Sequence, residues 1–277
     1  MEDNTLFIRC LGFSQDPNTS NYIMVMEYAT CSLNKYLKKN NNRMTWEDRM
    51  KALLDISIGL EHLHDSKLAH RDFHPGNLLF SNEKYLLITD LGLCKSVDQK
   101  SSSVNQKSSF NEKVCGVLPY IAPEVIKGKY TKAADIYSFG MVMYFVATGR
   151  MPFNDYHSGS CDFIFDICRE NNPLRPEVNE QEAPKFYVDL MKRCWNSDPE
   201  KRPKIIEIKE KIRLIYRTPK FIETAEEYRR SHLSGKSNMK DESAESDTTC
   251  VQTTAESEDL GIQGTESTFI GSIDITK

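Results

Sequence analysis

The sequence predicts an α+β domain, mainly helical, with short strands gathered toward its N-terminal side. Two pairs of strand-like runs, residues 6–13 with 22–28 and residues 77–80 with 85–88, are each joined by a polar segment. From residue 133 onward the apolar residues recur at helical spacing instead. At 277 residues, 39% of them hydrophobic, the chain is long and apolar enough to bury a core of its own.

Charge excludes some classes of function. The 36 basic and 40 acidic residues nearly balance, so no whole-protein field points to nucleic acid or to a membrane surface. The acidity sits in the tail, where residues 231–277 hold three Lys against nine Asp or Glu. Eight Cys, at 10, 31, 94, 115, 161, 168, 194 and 250, form no C-x-x-C pair and no zinc-like spacing. With no apolar run near 18 residues and no signal peptide pattern, they read as reduced thiols of a cytoplasmic chain, with the nucleus as the other compartment.

In chain order, residues 6–13 and 22–28 make a first hairpin around Asp16-Pro17-Asn18. Residues 32–39 read as a short helix with Ser32 at its N-cap. Residues 45–64 read as a long one, with Thr45 and Asp48 as its cap pair and Met50, Leu53, Leu54, Ile56, Leu60 and Leu63 on an apolar face. That helix delivers His70-Arg71-Asp72-Phe73-His74-Pro75-Gly76-Asn77. A hairpin of 77–80 with 85–88 then leads to Ile88-Thr89-Asp90-Leu91-Gly92, bringing Asn77 and Asp90 to the same end of the strand pair. Asp72, Asn77 and Asp90 offer oxygen atoms suited to Mg²⁺ beside a hydroxyl that must lose a proton. Residues 133–148 read as a core helix too short to span a bilayer. Residues 162–170, 183–196 and 203–216 read as further helices, with Pro203 at an N1 position and Leu190, Met191, Cys194 and Trp195 as core packing. From residue 218 the pattern dissolves, and residues 218–277 are expected to form a disordered acidic Ser/Thr-rich tail.

The 70–77 and 88–92 stretches resemble the catalytic loop and metal-binding motif of eukaryotic protein kinases. Further matches follow in order. Ala122-Pro123-Glu124 resembles the motif that closes the activation segment, and Asp135-Ile136-Tyr137-Ser138-Phe139-Gly140 the start of the helix beneath the catalytic loop. Cys194-Trp195, Asp198-Pro199 and Arg202-Pro203 resemble the late motif of tyrosine kinases and the tyrosine-kinase-like group. The resemblance implies a protein-kinase-like fold over residues 1–217, with a helical large lobe and only the last two strands of the small lobe. The activity implied is transfer of the ATP γ-phosphate to a protein hydroxyl, Ser or Thr ahead of Tyr, in signal transduction.

By the same resemblance, Asp72 orients the acceptor hydroxyl and accepts its proton, while Asn77 and Asp90 hold Mg²⁺. Met26 aligns with the gatekeeper, Glu27 to Ala29 with the hinge that pairs with adenine, and Leu79 joins them in the nucleotide site. His70 and Leu91 are expected to stack in a buried spine. Arg71 is the candidate partner of a phosphate placed on the Ser-rich stretch holding Ser101, Ser102, Ser103, Ser108 and Ser109. Asp135 is expected to anchor the catalytic loop, and Arg202 to pair with Glu124.

The sequence departs from the family pattern at several places. The family's glycine-rich loop, phosphate-holding Lys and its Glu partner precede the first hairpin, and only five residues stand there. The expectation is an incomplete chain, or a partner that supplies the missing part across an exposed hairpin edge. His74 stands where serine/threonine kinases carry Lys, and Val117 where they carry Thr. These departures favour a second reading, a non-catalytic kinase-like module that binds a protein. A small-molecule kinase would share Asp72, Asn77 and Asp90 but is not expected to carry Ala122-Pro123-Glu124 with Arg202.

Overall fold

A computed structural model describes residues 6–81, 85–97, 116–154, 161–169, 171–178, 182–233 and 269–273. The first hairpin pairs β1 (Cys10–Gln15) antiparallel with β2 (Tyr22–Met26), with an irregularity between Cys10 and Gly12. The predicted first strand starts too early. Leu6 and Ile8 leave the hairpin and bond to both sides of Ile88, through Ile88 N–H to Leu6 O at 2.9 Å and Ile8 N–H to Ile88 O at 3.0 Å. Burying Leu6 against the helical part explains the shift, since Leu6 is 5% exposed while Leu11 and Phe13 on β1 lie open.

The short β3 (Cys31–Ser32) leads into α1 (Leu33–Asn40), whose Ser32 cap accepts the Lys35 N–H at 3.3 Å. The long α2 (Trp46–Asp65) starts with the reciprocal cap expected of it. Thr45 Oγ1 accepts the Asp48 N–H at 3.1 Å and Asp48 Oδ2 accepts the Thr45 N–H at 3.0 Å, satisfying two N–H groups the helix cannot bond itself. Next come β4 (Leu68–Ala69), a 3₁₀ turn at Pro75–Asn77, then β5 (Leu78–Phe80) and β6 (Leu86–Ile88), paired with Leu78 opposite Ile88 and Phe80 opposite Leu86. β5 also pairs with β3, and β7 (Lys95–Ser96) with β4.

The helical part is layered on one element. α3 (Pro123–Ile126) precedes α4 (Lys132–Thr148), in which every residue from Ala134 to Ala147 is buried. A helix apolar all round needs neighbours on every side. α5 (Cys161–Cys168), α6 (Lys185–Cys194), α7 (Ile205–Arg217) and α2 complete this lobe. α6 comes close because Gly140 has no side chain: a Cβ there would stand 2.9 Å from that of Cys194. Tyr187 of α6 donates its buried hydroxyl to Met143 O at 2.7 Å and meets Trp46 edge to face. Lys209 of α7 reaches Glu61 of α2 at 2.7 Å, a nearly buried ion pair between the two longest-separated parts of this layer. Pro203 precedes α7 instead of opening it, because the Lys204 N–H is capped by the Glu207 carboxylate at 3.2 Å.

The expectation of disorder from residue 218 is corrected in two places. α8 (Pro219–Leu233) docks on the lobe: Ala225 is 1% exposed, Phe221 meets Phe186 edge to face at 5.3 Å, and Glu226 accepts the Trp46 N–H at the start of α2. Phe221, Ile222 and Ala225 form a narrow stripe one helical turn long, enough to bury but too short to stand out among charged neighbours. β8 (Phe269–Ile273) pairs antiparallel with the free side of β2, Tyr22 opposite Ile273 and Met26 opposite Phe269, so the first sheet runs β1-β2-β8. The 82–84 turn, residues 234–268 and the whole Ser-rich stretch with its phosphorylation idea lie outside the described residues.

Candidate active site

The loop after β4 is fixed to α4 through one carboxylate. Asp135, 1% exposed, accepts the backbone N–H of His70 at 2.9 Å and of Arg71 at 3.0 Å. The same oxygen that takes the His70 N–H lies 2.9 Å from His64 Nε2, so the end of α2, the loop and α4 meet at this point. Arg71 adopts φ 72, a left-handed conformation that costs a residue with a side chain about 1–2 kcal/mol. The Asp135 bonds hold it there, and its guanidinium stacks over Tyr130 at 3.7 Å.

His70 is fully buried and uses both ring nitrogens. Nε2 donates to Thr89 O at 3.1 Å, and Nδ1 accepts the Asp72 N–H at 3.3 Å. Burial pushes its pKa below the ordinary histidine value; the Asp135 charge and the Thr89 carbonyl oppose this without cancelling it. A histidine so placed is a strut for the loop.

Asp72 and Asn77 are brought into direct contact. The Asn77 amide donates to Asp72 O at 3.0 Å and to Asp72 Oδ2 at 3.1 Å. Burial alone would raise the Asp72 carboxyl, but His74, Asn77 and His70 together outweigh it and hold it below the usual aspartate value. Asp72 is therefore ionised at neutral pH. Thr89 N–H bonds to Asn77 O at 3.0 Å, which carries Asp90 to the same end of the β5–β6 pair as Asn77. Asp90 takes φ 58 and ψ 64, is exposed, and makes no side-chain bond to the 3₁₀ turn Leu91–Leu93 that it opens.

These donors fit a divalent cation of the hard, oxygen-loving kind. The Asn77 nitrogen is committed to Asp72, which leaves its amide oxygen as an acceptor, and the Asp90 carboxylate faces solvent. Among the described residues no group of three or more His, Cys, Asp or Glu could hold a metal by itself. Asn77 and Asp90 would share an ion with phosphate oxygens and water, the usual habit of Mg²⁺.

Met26 ends β2 opposite Cys10, and Glu27 donates its N–H to Arg9 O at 2.9 Å while its carboxylate takes Arg9 Nε at 3.0 Å. Ala29 is half-buried in the connection, and Thr30 next to it donates its N–H to Phe80 O at 2.8 Å. That bond lays the 26–30 connection beside β5, where half-buried Leu79 faces away from fully buried Leu78. On the other side of Asp72 a cleft is lined by Arg71, Asp72, Gly116, Val117, Tyr120 and Tyr130.

Glu124 and Arg202 form a bidentate pair at 2.6 and 2.8 Å, with Arg202 also donating to Ala133 O at 2.7 Å and Asn196 O at 2.8 Å. Leu91 departs from expectation: it is 44% exposed and outside the core, because the left-handed Asp90 and the tight turn after it swing it to the surface. Cys94, just after this turn, has its pKa pushed up to about 12 by burial and by Asp135 and Asp90, which suppresses the reactive thiolate. Two residues here are not legible in the sequence: His64, whose carboxylate partner Asp135 lies in a distant part of the chain, and Tyr130, which lies in no motif.

A helical lobe whose loop hangs from a buried aspartate, with an acid and an amide clasped at its tip, has the architecture of a kinase-like domain. The family model described as protein kinase domain matches residues 4–212, and the chain belongs to that family. Similar proteins include a putative serine/threonine-protein kinase/receptor of Acanthamoeba polyphaga mimivirus, 31% identical over 70% of this chain and 11% of that protein. The probable serine/threonine-protein kinase roco8 of Dictyostelium discoideum is 34% identical over 69% of this chain and 10% of its own length. Receptor-interacting serine/threonine-protein kinase 1 of Homo sapiens is 29% identical over 70% and 30%. The chain thus spans a minor part of these relatives. Protein kinases as a family use ATP and a divalent metal to act on protein substrates.

Proposed function

We propose that this chain is the catalytic-loop half of a serine/threonine-directed protein kinase of the tyrosine-kinase-like group, acting in signal transduction in the cytoplasm. The observation that carries this is the Asp72–Asn77 clasp, held by Asp135 and opening on the cleft beside Val117 and Tyr120. Asp72 receives the proton of the acceptor hydroxyl, and its depressed pKa keeps it ready to accept a hydrogen bond. Asn77 and Asp90 hold Mg²⁺, which when bound neutralises charge on the phosphate oxygens. Met26, Glu27, Ala29 and Leu79 border adenine. Arg202 with Glu124 fixes the wall on which a substrate peptide lies. The group assignment rests on Cys194-Trp195, Asp198-Pro199 and Arg202-Pro203, and the choice of Ser/Thr on the names of the relatives. Residues 1–217 form the kinase part in this reading, and α8 is a C-terminal extension packed on it.

The reading also needs a glycine-rich phosphate loop and a lysine-bearing strand, which the described residues do not contain. Further polypeptide or a partner seated on the first sheet would supply them, and β1, with Leu11 and Phe13 exposed, is an edge of that sheet among the described residues. Residues 1–277 alone are expected to turn over little or not at all. His74 and Val117, which stand where serine/threonine kinases carry Lys and Thr, favour the second reading, a kinase-like module that binds a protein without catalysis. The deciding experiment is phosphotransfer from labelled ATP to a Ser/Thr peptide library by the longest natural protein that contains this chain. Transfer lost on Asp72→Asn supports the enzyme. Transfer that survives Asp72→Asn, or none from the unmutated protein, contradicts it.

A further inference from the structure

His74 lies beside the site, and beyond helping to hold the Asp72 carboxyl below its usual value it has no role above. Its ring is held from two sides. Nδ1 accepts the Gly76 N–H at 3.1 Å, which assigns the proton of the neutral imidazole to Nε2, and Nε2 stands 3.6 Å from Asp72 Oδ2. Behind the ring, a Cβ on Gly76 would come within 2.6 Å of His74 Cε1 and 2.9 Å of Nδ1. The imidazole therefore fills the space a side chain at position 76 would need. Tyr120 closes a third side with ring centroids 6.1 Å apart.

The two oxygens of Asp72 are consequently treated differently. Oδ2 faces the Asn77 amide and the His74 N–H. Oδ1 faces Gly116, where even a Cβ would stand only 3.2 Å away, and that glycine lines the cleft. We infer that His74 is a positioning residue: with Asn77 it clamps Asp72 Oδ2 and so presents Oδ1 to the acceptor hydroxyl. This inference rests on the kinase reading given above. It makes His74 a neutral donor to the catalytic acid, in place of a cation on the transferring phosphate. The 3.6 Å separation is longer than a hydrogen bond, and the clamp requires it to shorten when substrate binds, as catalytic contacts can.

Two measurements test the clamp. Nitrogen-15 NMR of the His74 ring in residues 1–277 needs no turnover, so it stands apart from the fate of the kinase reading. The clamp predicts one tautomer, protonated at Nε2; protonation at Nδ1 or a ring averaging between rotamers overturns it. In the phosphotransfer assay, His74→Ala lowers kcat about tenfold with KM for ATP unchanged, the loss of one hydrogen bond realised in the transition state. His74→Gln, whose amide N–H reaches the same oxygen, restores most of it, and Gly76→Ala reproduces the defect by displacing the ring. An unchanged kcat in His74→Ala overturns the inference. So does a His74→Lys protein faster than wild type alongside a His74→Gln protein as slow as His74→Ala, because that pattern belongs to a phosphate-binding charge.

Discussion

Neutral, buried His70 makes the catalytic loop sensitive to acid. Its folded pKa is depressed, so the unfolded chain takes up the proton first as pH falls below about 6.5, and stability drops through the window between the unfolded and folded values. Asp72 adds a second loss of the same sign at lower pH, since its depressed carboxyl contributes stability that is present above about pH 4 and lost as pH falls through its folded pKa. Urea unfolding at about pH 7.5 and about pH 5.5 separates the histidine part: the wild type is expected to lose more stability between them than His70→Phe, which has no ring to protonate there. Equal losses contradict the account. Asp72, Asn77 and Asp90 could be picked from the sequence because oxygen donors at that spacing suit a metal, and His70, Arg71 and Asp135 because they lie in stretches that resemble protein-kinase motifs. The partners were hidden. Asp135 meets His64 and the loop only because α2 and α4 converge, and Leu91 is exposed because one backbone conformation at Asp90 turns it outward.

Caps and periodicity made the helices readable. The Thr45–Asp48 cap marked the start of α2, and the unbroken apolar run marked α4 as the central element. Elements whose stability comes mostly from docking carry no such signal. The stripe of Phe221, Ile222 and Ala225 is too short to fold a helix by itself, yet it meets Phe186 and the start of α2. Likewise residues 6–8 have strand character but spend it on Ile88. Removing residues 219–277 uncovers Trp46 and Phe186, so the melting temperature of residues 1–218 is expected to fall relative to the full chain; an unchanged value means that α8 contributes nothing to the lobe.

Across the whole molecule, the Glu124–Arg202 pair ties the segment after the cleft to the connection between α6 and α7, and Arg202 has no exposed side-chain surface. Leaving Glu124 without its partner should destabilise the lobe by on the order of 3 kcal/mol, because a nearly buried carboxylate then stands uncompensated. Arg202→Leu, measured by denaturant unfolding, is expected to show that loss, and a change within error contradicts the pairing. The proposed phosphotransfer requires Asn77 and Asp90 to meet at one divalent ion beside Asp72. Mn²⁺ added with ADP in place of Mg²⁺ tests this most directly, read by paramagnetic broadening of NMR signals. The prediction is that the Asn77 side-chain amide and the backbone around Asp90 broaden first and together, and that Asp90→Asn removes the effect; broadening scattered over surface carboxylates, with the Asn77 amide untouched, would contradict it.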